Sequence, residues 1–163
     1  MASSMEQAKY QTAVANRVLA ELGFATGAMA ALGHASMRVP SDPGKFLVKG
    51  RGYDIDALSR MRPEDMVVCD LDGYKVGGPA DIGQCFEVKI HSTIYKSHPE
   101  VNSVVHVHPR FTVMLSVQQA RILPMCPEGL LMVRNPLPVY NRMRMISSED
   151  EGMEVANLLG AGK

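Results

Sequence analysis

The segment from Val101 to His108 constrains the fold more than any other part of this chain, because it predicts a β-strand that ends in two histidines. It is rich in valine, which favours extended structure, and Pro99 and Pro109 bound it. Side chains alternate between the two faces of a strand, so His106 and His108 point the same way. Two imidazoles in this arrangement can chelate one metal ion, or they can face water or a partner.

Helical and strand patterns alternate along the rest of the 163 residues. Apolar side chains repeating every three or four positions predict helices before Gly23, over Glu87–Ser97, over Arg110–Val117 and from about Ser148 onward. Strands are predicted at Phe46–Val48, Met66–Cys69 and Tyr74–Val76, and weaker strand patterns lie at 122–123 and 137–140. The mixture predicts an α/β or α+β fold in one domain.

Composition argues against several classes of function. Lys and Arg total 17 and Asp and Glu total 17, so the formal net charge is zero and we expect no nucleic-acid partner. No stretch approaches the roughly 20 apolar residues that span a bilayer, so we expect no membrane partner either. Three widely spaced cysteines are typical of reduced thiols, and they predict a cytoplasmic protein.

Glu87 is the carboxylate that the predicted elements bring toward the two histidines. It lies at the start of a predicted helix, and the short Pro99–Glu100 loop returns the chain along the histidine strand, so helix start and strand end share one end of the unit. The helix dipole alone also favours a glutamate in a first turn, and this structural alternative stays open. His91 is interpreted as a hydrogen-bonded helix residue, and His34 and His98 as loop or cap residues.

Two glycine-containing segments carry groups that bind anions. The first holds the hydroxyl of Ser36 and the guanidinium of Arg38, and the second places Lys49 and Arg51 on either side of Gly50. Such groups suit the carboxylate or phosphate of a small substrate. The spacing matches neither a P-loop nor a dinucleotide-binding fingerprint. The alternative is a pair of surface turns with solvated charges.

In this order, the segments resemble the class II aldolase/adducin family. The matching strings are Gly33–Arg38, similar to the family's glycine–Asn–x–Ser–x–Arg loop; the Lys49–Gly52 turn; the Asp70–Gly73 hairpin; Glu87 followed by His91 and Tyr95; and Pro99–Pro109, similar to the signature P-x-V-x-x-V-V-H-x-H. The last string is specific, and the likeness covers nearly the whole chain.

The resemblance implies a three-layer α/β fold with a largely antiparallel central sheet, in a single domain over residues 1–163. It implies that His106 and His108 are two of three histidine ligands of one divalent metal, zinc or manganese, and that Glu87 touches the metal and serves as acid and base. The metal would act as a Lewis acid in a carbon–carbon lyase. Family enzymes are typically homotetramers with active sites between subunits, so we expect a homo-oligomer.

Two departures from the family pattern refine the expected function. The third histidine of the family lies in a downstream His-Gly segment, so the resemblance predicts a domain incomplete at its C-terminal end. Cys85 and Phe86 stand where the sugar-phosphate enzymes carry two serines, His34 replaces their Asn, and Lys49 and Arg51 add cations. Lost hydroxyl donors and gained cations favour a small-molecule carboxylate as substrate.

The expected function is therefore that of the family's decarboxylase branch, which acts on hydroxylated aromatic carboxylic acids. Two alternatives stay open. One is an aldolase or epimerase acting on a sugar or sugar phosphate, and the other is a non-catalytic, adducin-like assembly domain or an inactive fragment.

Overall fold

The computed structural model of the protein describes residues 4–25, 33–52, 58–133, 135 and 137–160. The helices are α1 (Ser4–Glu21), α2 (Val88–Ser97), α3 (Arg110–Val117), α4 (Pro127–Val133) and α5 (Glu149–Leu159). The strands are β1 (His34–Val39), β2 (Asp42–Arg51), β3 (Met66–Asp70), β4 (Lys75–Gly77), β5 (Gly83–Gln84) and β6 (Ser103–His106). Short 3-10 turns lie at Leu58–Arg60 and Pro63–Asp65. None of the described helices has the length and apolar character needed to cross a bilayer.

The sheet is antiparallel throughout, with strand order β4-β3-β2-β1-β6 and β5 paired to β2. Alternate residues of β2 enter different cores: Leu47 packs with α1 on one face, whereas Phe46 and Val48 pack with α2 and α5 on the other. Helices therefore cover both faces of the sheet. The predicted three-layer α/β fold with an antiparallel sheet is confirmed.

The segment that carries Ser36 and Arg38 is the strand β1, and the prediction of a loop there is wrong. Its apolar residues, beginning with Ala35, pack with α1, and its polar residues alternate with them. Both faces of β1 are buried. The polar residues of an alternating strand usually face solvent. Here they are buried, so the sequence of β1 resembles a glycine-rich turn more than a buried strand.

Two weak strand predictions, at 122–123 and 137–140, are also wrong, because neither segment pairs with a strand among the described residues. Pro124 and Pro138 lack the N–H that a ladder requires. The predicted helix over Arg110–Val117 is confirmed as α3. The helix predicted near Ser148 is α5, and Ser148 caps it by accepting a hydrogen bond from the backbone N–H of Glu151.

Gly152 lets α5 lie directly against α2. A Cβ at this position would lie 2.7 Å from Thr93 Oγ1 and 2.8 Å from the backbone oxygen of Lys89. In an open helix, alanine stabilises relative to glycine by about 1 kcal/mol. Here the overlap with a backbone carbonyl outweighs that gain, because the carbonyl cannot move without moving α2.

We expect Gly152→Ala to lower the free energy of unfolding by about 1–3 kcal/mol, measured by urea denaturation. Gly129→Ala in α4 is the matched control, since a Cβ there meets nothing closer than 3.4 Å. A Gly152→Ala protein as stable as the Gly129→Ala protein would contradict the close packing of the two helices.

Candidate metal centre

Glu87, His106 and His108 converge at the end of β6. One donor atom from each lies within 4.8 Å of the other two. His106 Nε2 is 3.3 Å from Glu87 Oε2 and 3.0 Å from His108 Nε2. The strand ends at His106 rather than at His108 as predicted, yet both imidazoles stay on the same side. The predicted juxtaposition of helix start and strand end is confirmed.

Glu87 directly precedes α2 and has a left-handed backbone conformation, with φ 58° and ψ 23°. It is the residue before the helix rather than part of its first turn, and its side chain makes no capping hydrogen bond to the helix. Instead, Oε1 accepts the backbone N–H of Ile146 at 3.0 Å, and Oε2 faces His106. Burial acts to raise the pKa of Glu87, but the hydrogen bonds from His106 and Ile146 outweigh it, and the pKa is lowered.

This donor set fits a divalent metal ion. Two imidazole nitrogens and one carboxylate oxygen are ligands that zinc accepts. A ligating histidine must be neutral, and burial, followed by the neighbouring His106, lowers the pKa of His108. The Nε2 atoms of His106 and His108 are 3.0 Å apart, close enough for both to reach one ion.

A cavity of about 480 Å³ opens beside the three residues. That volume suits a small organic molecule. Tyr140 and Arg144 contribute polar groups to its wall, and the rest is largely apolar. The apolar lining includes Ile90, Ile94, Val101, Val104, Val105, Ile146, Val155 and Leu159. Neither Tyr140 nor Arg144 was predicted as a site residue, because both lie in an irregular segment whose position depends on tertiary packing.

Lys49, Gly50 and Arg51 lie at the end of β2, next to the segment that leads into Glu87. They belong to a strand and not to a flexible turn: Gly50 pairs with Gln84, and Lys49 is fully buried. The guanidinium of Arg51 lies 4.3 Å from the centre of the Phe86 ring. None of the three is among the residues that line the cavity, and their contact with a substrate carboxylate stays a prediction.

Ser36 and Arg38 do not fit the substrate contacts predicted for them. The guanidinium of Arg38 donates to four backbone carbonyls, at distances of 2.7–3.2 Å: those of Pro43, Tyr95, His98 and Val101. Arg38 also lies four residues from His34, about 13 Å along β1. Its donors are therefore used inside the fold, away from the candidate metal centre. The hydroxyl of Ser36 is likewise buried between His91 and Tyr95.

His34 is buried at the start of β1, which corrects its interpretation as a loop or cap residue. Its Nε2 lies 3.1 Å from the Phe86 carbonyl oxygen, and its Nδ1 lies 2.6 Å from His91 Nε2. The His34 ring centre is 5.2 Å from that of His106. The interpretation of His91 as a hydrogen-bonded helix histidine is confirmed, and His98 is the C-cap residue of α2.

Comparisons with known proteins identify relatives of this chain. The family model described as "Class II Aldolase and Adducin N-terminal domain" matches residues 11–163. A 3,4-dihydroxyphthalate decarboxylase from Rhodococcus jostii is 28% identical, over 97% of this chain and 66% of its own length. The enzyme of the same name from Arthrobacter keyseri is 29% identical, over 94% and 62%. The chain therefore spans just under two thirds of each of these relatives.

Two solved structures have the same fold. An aldolase II superfamily protein from Pseudomonas syringae matches with a TM-score of 0.82 and 21% identity, over 99% of this chain and 62% of its own. The L-fuculose-1-phosphate aldolase from Thermus thermophilus matches with a TM-score of 0.66 and 25% identity, over 97% and 71%. The matching family model covers most of the length of this chain, and the two histidines of the signature lie together at one site. The chain therefore belongs to the class II aldolase/adducin family.

Proposed function

We propose that this chain forms part of a metal-dependent carbon–carbon lyase that decarboxylates a hydroxylated aromatic carboxylic acid. The observation that carries the proposal is the convergence of Glu87, His106 and His108 at the wall of a largely apolar cavity. The likeness to 3,4-dihydroxyphthalate decarboxylases supports the substrate class. An apolar lining suits an aromatic ring better than a sugar, whose hydroxyls need polar partners.

His106 and His108 would hold the metal, zinc or manganese, with Glu87 beside it. When bound, the metal supplies a Lewis acid that withdraws electron density from the substrate.

Glu87 would carry the proton of the reaction. Its lowered pKa keeps Glu87 ionised at neutral pH, and the carboxylate accepts the proton of the substrate's ring hydroxyl. The bond between ring and carboxylate carbon then breaks, carbon dioxide leaves, and the electron pair stays on the ring carbon. Glu87 returns its proton to that carbon, and the aryloxide regains a proton from water. Lys49 and Arg51, with Gly50 between them, are proposed to orient the substrate's carboxylates.

We further propose a homo-oligomer, a tetramer by resemblance to the family. Residues 110–145 include many exposed large apolar side chains, and Met125, Leu131 and Met143 are each more than 80% exposed. Exposed apolar area of this extent is typical of a subunit interface. We propose that a second copy of this chain covers this apolar surface, because the family's active sites lie between subunits.

A reducing cytoplasm is the proposed location. The three cysteines are free, and two of them, Cys69 and Cys85, are buried. Burial raises the pKa of both thiols, which keeps them protonated and unreactive.

The test is carbon dioxide release by the purified 163-residue chain from 3,4-dihydroxyphthalate, with Zn²⁺ or Mn²⁺ added. We expect release that a chelator abolishes and fresh metal restores. In parallel, L-fuculose 1-phosphate tests aldol cleavage. Cleavage of the sugar phosphate without any decarboxylation would contradict the proposed substrate class. A protein that binds neither metal would instead support an adducin-like assembly domain.

A further inference from the structure

The buried side chains behind Glu87 form a line of hydrogen bonds whose directions can all be assigned. The line ends at the backbone carbonyl of Phe86, which can only accept. His34 Nε2 must therefore carry the proton of the 3.1 Å bond to Phe86. In a neutral ring, His34 Nδ1 is then an acceptor, so His91 Nε2 donates to it across 2.6 Å.

The remaining two bonds follow from the same constraint. His91 Nδ1 has no proton left and accepts from the hydroxyl of Ser36 at 2.6 Å. The Ser36 oxygen in turn accepts from the hydroxyl of Tyr95 at 2.8 Å. All four protons thus point one way, from Tyr95 toward the peptide bond that precedes Glu87.

Burial keeps the protons of these hydrogen bonds in one arrangement. His34, Ser36, His91 and Tyr95 are each no more than 3% exposed, so water does not compete for their hydrogen bonds. Among the described residues, the hydrogen-bond partners of the two rings are a hydroxyl, a backbone carbonyl and each other, with no carboxylate among them. A charged imidazolium buried here would have no compensating partner, so both rings are neutral. A neutral imidazole has one donor and one acceptor, and this is the requirement for a directed line.

The direction of these hydrogen bonds matters for the backbone of Glu87. It is one of two described non-glycine residues with positive φ, a strained conformation that persists only when its surroundings hold it. Its own carbonyl oxygen is held by the N–H of Ile90 at 3.0 Å. The peptide plane on its other side is held at the Phe86 oxygen, where His34 donates.

We propose that Tyr95, Ser36, His91 and His34 form a positioning relay that orients the Phe86–Glu87 peptide and so keeps the Glu87 carboxylate at His106. In this assignment His34 is a positioning residue that acts through Glu87. The inference rests on the proposed function only in taking Glu87 as part of a metal centre.

The first experiment measures the tautomers directly, on metal-free protein at pH 7. Long-range ¹H–¹⁵N spectra of ¹⁵N-histidine protein distinguish Nε2–H from Nδ1–H rings. We expect the Nε2–H form for both His34 and His91, with assignments from His34→Gln and His91→Gln. An Nδ1–H or a protonated ring at either position would overturn the directed line, whatever the metal centre does.

The second experiment tests whether the relay acts through Glu87. Co²⁺ binding is titrated for the full chain, for His34→Phe, for Ser36→Ala, and for the same changes combined with Glu87→Gln. We expect each single change to weaken Co²⁺ binding about tenfold, as supporting residues of metal sites do, and to have less than about a twofold effect when residue 87 is glutamine. His34→Gln should restore most of the affinity, because its amide can donate to the Phe86 oxygen.

Thr93→Val is the matched control, since Thr93 is equally buried on α2 but donates to the Lys89 carbonyl, outside the relay. It should leave Co²⁺ binding unchanged. If His34→Phe and Ser36→Ala reduce Co²⁺ affinity equally with glutamate and with glutamine at position 87, the positioning role is overturned. If the unmodified chain binds no Co²⁺, the proposed function fails, whereas the tautomers still decide the relay.

Discussion

His106→Ala is expected to weaken Zn²⁺ binding at least about 100-fold, measured by competition with a chromophoric chelator at pH 7.5. His106 supplies one of the two nitrogens that face each other across 3.0 Å, and it is also the group that Glu87 Oε2 contacts at 3.3 Å. Its removal therefore takes away one ligand directly and loosens a second.

The matched control is His98→Ala. His98 ends α2, and its Nε2 bonds the Ala156 carbonyl oxygen, so it takes no part in the centre. We expect its Zn²⁺ affinity to equal that of the unmodified chain. Zn²⁺ should also raise the melting temperature of the unmodified chain and of the His98 variant, because a ligand that binds only the folded state stabilises it. Unchanged affinity in the His106 variant would place any bound metal elsewhere.

Arg38→Met is expected to lower the free energy of unfolding by about 3–5 kcal/mol, measured by urea denaturation followed by circular dichroism. The guanidinium ties β1 to three other parts of the chain through its four carbonyl partners. It also lies 4.7 Å from the centre of the Tyr95 ring. Methionine fills similar space but leaves those buried carbonyls without their donor.

Arg62→Met is the control for losing an arginine from the surface. Arg62 pairs with Asp65 in an exposed turn, and we expect little measurable change in stability. Arg38→Met should also keep its Zn²⁺ affinity, as long as it is measured below the unfolding transition. A variant that stays as stable as the parent but no longer binds a carboxylate substrate would return Arg38 to the substrate site.

The residues of the candidate metal centre could be predicted from the sequence where they depend on a local repeat. The spacing of His106 and His108 on a strand is enough to put both imidazoles on one side, because strand geometry repeats every two residues. The approach of Glu87 follows from the short connection between helix and strand. The burial of β1 could not be predicted in this way, because its polar face packs against α2 rather than facing water.

Local sequence patterns were enough to establish the order of most helices and strands, the two facing imidazoles and the family resemblance, since each depends on neighbours within a few residues. Tertiary packing settled which polar groups meet across long separations. It turned Arg38 and Ser36 into interior residues, aligned His34 and His91 from distant elements, and brought the Ile146 N–H to Glu87. Buried donors and acceptors must find partners wherever packing places them, and that pairing leaves no periodic trace along the chain.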